Sequence, residues 1–178
     1  MKTEYLLHQQ VSHVLAALTK QNQLIARVCL HTGLRVGDVV GLQTKELGRQ
    51  FVVTEAKTGK KRKVGLPDGL RKEILEQAGP VWAFPGKDGS GHKTRQAVWK
   101  DVKRAAKAFR LPQNVGPHSF RKVYAVELRQ KYGDLSRVQR ALNHGDMSVT
   151  LIYAMADQLL QDKLRRSEQL KKNKPRSA

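Results

Sequence analysis

Residues 50–67 read QFVVTEAKTGKKRKVGLP, and this stretch decides the fold class that the sequence predicts. The segment Gln50–Glu55 is rich in β-branched and aromatic residues, which favour strands, and Lys61–Leu66, which ends at Pro67, is interpreted as the second strand. Between them lies Lys57–Lys60, where Gly59 can supply the positive φ that a tight turn needs. The stretch therefore predicts an antiparallel β-hairpin.

Helical patterns precede this hairpin. Apolar residues recur at helical spacing in two predicted helices between Leu6 and Leu34, with Gly33 as a helix terminator. A short third helix is expected to direct Val36, Val39 and Leu42 towards the core. The N-terminal third of the chain is therefore predicted to be helical.

Helical patterns also follow the hairpin, after a polar loop that ends near His92. Thr94 is expected to cap a helix with one apolar stripe, formed by Val98, Val102, Ala105 and Phe109. Further helices are expected over about 118–131, 135–142 and 147–154, and Val81–Phe84 is expected to add a third short strand. The predicted fold is mainly α with a small antiparallel β-sheet (α+β).

The charge of the chain indicates its partner. It has 34 Lys and Arg residues against 15 Asp and Glu, a formal net charge of +19. Such a chain repels itself unless it binds a polyanion, and nucleic acid is the expected partner rather than a membrane surface. Cys29 is the single cysteine, which favours a reducing, cytoplasmic compartment. Because the expected partner is nucleic acid, association with the nucleoid is expected there. Charge alone does not separate an enzyme from a passive binder.

The chain contains the residue types that phosphoryl transfer to a protein hydroxyl requires. Cations must hold the negative charge of the transition state, an acid must protonate the leaving oxygen, and a base must assist the nucleophile. These types occur in the order Arg35, Lys57, His118, Arg121, His144 and Tyr153. The sequence shows neither a metal-ligand pattern nor a glycine-rich phosphate loop, so no metal, cofactor or nucleotide hydrolysis is expected.

This order resembles the tyrosine recombinases, the family of phage integrases and Xer-type resolvases. The motif Thr-Gly-Leu-Arg-x-x-Asp over 32–38 is similar to the first family box, and Lys57-Thr58-Gly59 is similar to the lysine turn. His-x-x-Arg at 118–121 follows, and Tyr153 comes nine residues after His144, as in the last box. The resemblance covers about residues 6–156.

The resemblance implies a role for each of these residues. Arg35 and Arg121 would clamp the scissile phosphate, and His144 would donate to one of its non-bridging oxygens. Tyr153 would attack the phosphorus with His118 as base or hydrogen-bond partner. Lys57 would be the general acid, Tyr153 would carry a 3′-phosphotyrosine, and Asp38 would support the first box without reacting. The implied activity is site-specific recombination or integration, by dimers or tetramers on DNA, in a phage or mobile element.

The chain departs from the family pattern at two positions and in its length. Asn143 stands where the family usually has Gly, and Lys122 stands where it usually has His. A catalytic domain is expected over 1–156, and the N-terminal core-binding domain of most relatives is expected to be absent. The residues 157–178 are expected to form a helix and a basic tail that is exchanged between protomers.

Several alternatives stay open at this point. Lys60 competes with Lys57 as the general acid. Tyr124 and Tyr132 are interpreted as structural. A type IB topoisomerase, or a DNA-binding module without catalysis, would share many of these features. Basic residues outside the constellation form either a solvated face or a DNA-binding surface; they are Lys60, Arg62, Lys100, Lys103, Arg104 and Lys107.

Overall fold

The computed structural model describes residues 3–142 of the chain, and every structural statement below concerns this range. Within it, the mainly helical architecture with one two-stranded antiparallel sheet confirms the predicted fold class. The elements are α1 (His8–Ala17), α2 (Lys20–Thr32), α3 (Val36–Val40), a short 3-10 helix (Thr44–Glu46), β1 (Gln50–Thr54), β2 (Lys61–Gly65), α4 (Asp68–Gln77), α5 (Arg95–Ala108), α6 (Pro117–Tyr132) and α7 (Leu135–Leu142). The predicted helix at 147–154, the boundary at 156 and the tail at 157–178 lie outside the described residues.

The hairpin forms as predicted. β1 and β2 pair antiparallel, with Phe51 opposite Val64 and Val53 opposite Arg62. Phe51 and Val53 face the core, because alternate side chains of a strand point to the same side. At the turn, the N–H of Gly59 donates to the Glu55 carbonyl at 2.8 Å, with Gly59 at φ +66°. The left-handed backbone at this position explains the glycine.

Helix α2 lies at the centre of the fold and packs against α6, α3 and α4. Its buried residues Leu24, Ile25 and Val28 are at most 1% exposed. The helix ends where predicted, because Gly33 adopts φ +64° and its N–H donates to the Cys29 carbonyl at 2.8 Å. This glycine therefore directs the chain out of α2 and into the stretch that carries Arg35.

Two predictions about local structure are wrong. Val81–Phe84 forms no strand; Trp82 makes only an isolated bridge with Gln43, and the flanking backbone bonds go to Leu42 and Thr44. Phe109 does not belong to the buried stripe of α5, because the helix ends at Ala108. Its ring is 40% exposed and stacks on His13 with the centroids 4.7 Å apart. The sequence analysis also did not identify α4, whose Leu70 and Ile74 join the core.

The N-cap prediction for α5 is confirmed. Thr94 Oγ1 accepts a hydrogen bond from the Ala97 N–H at 3.1 Å, which satisfies one of the free amides at the helix start. Along α5, Val98, Val102 and Ala105 are buried, as expected. Across residues 3–142, no helix combines the length and the apolar character that crossing a bilayer requires.

Candidate active site

A cleft of about 680 Å³ opens between α3, the hairpin turn, α5 and the start of α6. Of the six residues proposed from the sequence, the four that fall within 3–142 all line it. His144 and Tyr153 lie outside the described residues. The lining consists of Thr3, Leu34, Arg35, Val36, Gly37, Asp38, Ala56, Lys57, Arg95, Gln96, Trp99, Pro117, His118 and Arg121.

Arg35 occupies the N-cap position of α3, in extended backbone conformation. Its Nη1 donates to Glu55 Oε2 at 2.5 Å, and its side chain is 22% exposed, so it keeps access to the cleft. Burial opposes ionisation of Glu55, but hydrogen bonds from Arg35 and Thr58 lower the pKa of that carboxyl overall. Glu55 is therefore a carboxylate that orients Arg35.

Arg121 is 1% exposed, on the second turn of α6. One Nη group donates to the carbonyl of Gly33, and Nη2 donates to the carbonyl of Leu142 at 2.5 Å. A buried guanidinium is stable only when its N–H groups find acceptors, and here the acceptors are the backbone carbonyl of Gly33 after α2 and that of Leu142 in α7. Arg121 is therefore fixed between the C-terminal ends of α2 and α7.

Lys57 lies in the hairpin turn, at the mouth of the cleft. The preceding residue anchors the turn, because the Ala56 N–H donates to Asp38 Oδ1 at 2.9 Å. Asp38 is 8% exposed, which agrees with a supporting role. Lys57 lines the cleft. Lys60, the residue directly before β2, is not among the described residues that line it.

His118 lies in the first turn of α6, beside Arg121. Burial of the ring lowers its pKa to about 4, and the nearby cations Arg121, Lys122, Arg35 and Lys57 act in the same direction. The ring is only partly buried, because the residue as a whole is exposed and lines the cleft. The imidazole is thus neutral at pH 7, which is the form that can accept a proton or a hydrogen bond.

One of the basic residues predicted to contact DNA is instead built into the fold. The Arg62 guanidinium donates to the Thr32 carbonyl and lies 3.8 Å from Glu55 Oε1, and its side chain is only 10% exposed. Desolvation by burial lowers the pKa of Arg62. The Arg62 charge is thus paired with the end of α2 and with Glu55, and a contact of Arg62 with DNA stays a prediction.

The predicted basic face of α5 divides in two. Arg104 donates to Asp101 Oδ1 at 2.6 Å and to the Ala17 carbonyl at 2.5 Å, and Lys103 donates to Asn114. Lys100 and Lys107 are exposed. Arg104 is exposed as well, and contact with DNA stays a prediction for all four residues of α5 and for Lys60.

The sequence analysis missed residues that the fold brings to the cleft. Arg95, Gln96 and Trp99 line it from the first turns of α5, and Trp99 is 49% exposed. A signal was available, because Trp99 lies off the apolar stripe of an amphipathic helix. Glu55 was not predicted as a site residue either, although it is an acidic residue directly before a basic segment of the sequence.

Other chemistry finds little support in the described part of the chain. Between residues 3 and 142, no three His, Cys, Asp or Glu side chains are grouped as a metal site would need. Cys29 is buried, and burial raises the pKa of its thiol to about 12, so it is a poor nucleophile.

Comparison with known proteins gives a consistent result. Residues 4–159 match the model of the phage integrase family. The chain is 28% identical over 156 residues to "Probable integrase/recombinase YoeC" of Bacillus subtilis, covering 84% of this chain and 86% of that protein. It is 36% identical over 135 residues to "Tyrosine recombinase XerD" of Brucella suis, covering 68% of this chain but only 44% of XerD. The chain thus spans less than half of this XerD.

A solved structure has the same fold. The crystal structure of the XerH site-specific recombinase bound to difH substrate, in a pre-cleavage complex, superposes with a TM-score of 0.67 at 25% identity. The match covers 84% of this chain and 50% of that one. All three proteins are described as recombinases or integrases, which favours recombination over a type IB topoisomerase or an inactive DNA-binding module.

Proposed function

Because this chain belongs to the phage integrase family, we propose that it is a site-specific DNA recombinase that cleaves and rejoins strands through a 3′-phosphotyrosine at Tyr153. One observation carries the proposal for the residues: Arg35, Lys57, His118 and Arg121 come from separate parts of the sequence and line one cleft. A set of surface cations with no common purpose would not be expected to converge in this way.

Arg35 and Arg121 bind the scissile phosphate in this proposal. A guanidinium is planar and presents five N–H donors, so it can bind two phosphate oxygens at once. The bond from Arg35 to Glu55 uses only part of that set. His144 completes the group by donating to a non-bridging oxygen. Together they hold the charge that develops on the phosphate in the transition state.

Tyr153 and Lys57 act on opposite sides of the phosphorus. The Tyr153 oxygen attacks, the bond from phosphorus to the 5′-oxygen breaks, and Lys57 gives a proton to that oxygen. Neutral His118 accepts a hydrogen bond or a proton from the tyrosine. Lys57 is preferred to Lys60 because Lys57 lines the cleft.

The proposed reaction uses neither a metal nor a cofactor, because the side chains of Arg35, Arg121 and Lys57 supply the positive charge. The bond energy of the DNA is kept in the phosphotyrosine. The free 5′-hydroxyl of another strand can then attack this link and release Tyr153, so strands exchange without an external energy source.

We further propose that the protein acts on double-stranded DNA at the nucleoid as a dimer or tetramer, in a phage or another mobile element. The formal net charge of +19 supports the DNA partner, and so does the similarity to a recombinase solved with its DNA substrate. Assembly is a consequence of the chemistry, since exchange needs a second cleaved strand held nearby.

Covalent trapping tests the proposal. The protein is incubated in EDTA with nicked duplexes from the DNA that flanks its gene, or from a random pool, so that the cleaved fragment diffuses away. We expect a denaturation-resistant protein–DNA adduct that is lost in Tyr153→Phe. Tyr132→Phe is the matched control, because Tyr132 is an exposed tyrosine that does not line the cleft, and this variant should react normally. Tight binding without an adduct would reject the catalytic proposal.

A further inference from the structure

Glu55 is a buried carboxylate that the proposed mechanism does not use. It is 0% exposed, although it stands next to a solvent-exposed turn. Its Oε2 accepts two hydrogen bonds, from Arg35 Nη1 at 2.5 Å and from Thr58 Oγ1 at 3.0 Å. A single oxygen thus joins the first arginine of the cleft to the residue that follows Lys57.

Because the Glu55 carboxylate is buried, only the few groups around it can stabilise its charge. A carboxylate removed from water is stable only where cations and hydrogen-bond donors surround it. Arg35 and Thr58 bind Oε2, and Arg62 lies 3.8 Å from Oε1 on the other side. Arg62 is itself fixed by the carbonyl of Thr32. The carboxylate therefore has little freedom to move.

The backbone of the same residue shapes the turn. The Glu55 carbonyl accepts from the N–H groups of Thr58 at 3.2 Å and Gly59 at 2.8 Å. The Glu55 N–H donates to the Lys60 carbonyl at 3.0 Å, which closes the turn. Lys57 stands inside this closed loop. Its backbone position is consequently set by Glu55 and by the bond between Ala56 and Asp38.

We propose that Glu55 is a positioning residue that couples the phosphate-binding Arg35 to the turn carrying the acid Lys57. The inference rests on the proposed function, since it concerns the order of the same cleft. Glu55 does not touch DNA. It holds the two cationic groups in a fixed relation, so that the phosphate clamp and the proton donor reach one phosphodiester together.

Two substitutions separate the two halves of this coupling. Thr58→Val removes the hydroxyl that binds Oε2 and leaves the bond between Arg35 and Glu55 in place. Glu55→Gln keeps the size of the side chain but removes its charge, which weakens the hold on Arg35 and Thr58 together. Thr58→Val should therefore affect the acid, whereas Glu55→Gln should affect the acid and the clamp.

The assay compares two leaving groups. With an ordinary phosphodiester, the bond from phosphorus to the 5′-oxygen breaks and Lys57 supplies a proton to the oxygen. With sulfur in place of that oxygen, the bond to sulfur breaks and the electron pair leaves on a thiolate. A thiol is several pKa units more acidic than an alcohol, so this group needs no proton from the enzyme. A defect limited to the acid is thus rescued by sulfur, and a defect in the phosphate clamp is not.

Single-turnover cleavage at saturating protein gives the expected results. Thr58→Val should slow cleavage of the oxygen substrate roughly 3–10-fold, because the turn loses one hydrogen bond to the Glu55 carboxylate, and the rate should recover on the sulfur substrate. Glu55→Gln should lose about 10–100-fold on oxygen, because charge-assisted bonds are lost, and should recover only in part. Lys57→Ala is the reference for a defect that the sulfur substrate rescues, and Arg35→Ala is the reference for a defect that it does not rescue.

A matched ion pair controls for general loss of structure. Arg27 Nη1 donates to Glu73 Oε2 at 2.5 Å, and this pair lies outside the cleft and is more exposed than the pair of Arg35 and Glu55. Glu73→Gln should cleave both substrates like the wild type. Thr58→Val with equal loss on both substrates, or Glu55→Gln with wild-type rates, would overturn the inference. If the wild type forms no adduct on either substrate, the proposed function itself fails.

Discussion

Replacing Gly33 by alanine tests whether the end of α2 sets the geometry of the buried arginine. At φ +64°, a side chain strains the backbone, which costs about 1–2 kcal/mol. The added Cβ would also lie 2.5 Å from Tyr124 Cε1 and closer still to Cδ1. Displacing a packed ring costs about 1–3 kcal/mol more. Gly33→Ala should therefore lower the free energy of unfolding by about 2–5 kcal/mol in total.

Urea unfolding followed by circular dichroism measures this loss in the wild type and in a Tyr124→Ala background. Without the ring, only the backbone strain remains, so the cost of Gly33→Ala should fall to about 1–2 kcal/mol. Cleavage should also slow, because the Gly33 carbonyl accepts from Arg121 and moves with its residue. A loss below about 1 kcal/mol in the wild type, or an equal loss in both backgrounds, would refute the reasoning.

Four further predictions concern the cap of α5, two basic residues and His118. Thr94→Ala should lower the free energy of unfolding by about 1 kcal/mol in urea, because the Ala97 N–H loses its acceptor. Arg62→Ala should cost about 1–3 kcal/mol of stability, because buried acceptors lose their donor. Lys100→Ala should leave the free energy of unfolding unchanged, but it should make the negative slope of log K for DNA binding against log salt shallower by about 1. A loss of stability in Lys100→Ala, or a shallower slope without loss of stability in Arg62→Ala, would count against these assignments. The pKa of His118 is about 4 when folded, below the ordinary value of 6.5, so the unfolded chain binds the proton first and stability should fall from pH 6.5 towards pH 4. His118→Gln should flatten this fall in urea titrations, and an unchanged pH profile would contradict the low pKa.

Features determined by neighbouring residues were predictable from the sequence. The hairpin, the helix end at Gly33 and the cap at Thr94 each depend on a few adjacent side chains and on backbone preferences. The residue types that line the cleft were also predictable, because the chemistry of phosphoryl transfer restricts them. The order of Arg35, Lys57, His-x-x-Arg, His144 and Tyr153, taken together, indicated the family that the comparison then showed.

Features determined by distant contacts were not predictable in the same way. The strand predicted at Val81–Phe84 fails because its backbone bonds go to the segment around Leu42, which no local pattern reveals. Arg62 looked like one more cation in a basic turn, yet the carbonyl of Thr32, thirty residues away, binds it. Glu55 and Trp99 gain their positions only when α3, α5 and the hairpin come together.

The electrostatics of the cleft explain why the two acidic residues beside it matter. A chain with a formal net charge of +19 gathers Arg35, Lys57 and Arg121 around one cavity, and their mutual repulsion opposes folding before DNA arrives. Glu55 pairs with Arg35, Asp38 lies on the wall of the same cleft, and the ring beside Arg121 is neutral at pH 7. These features lower the positive charge without occupying the space for a phosphate. Under the proposed function, the cleft is ordered before DNA binds, and the scissile phosphate would complete this charge balance.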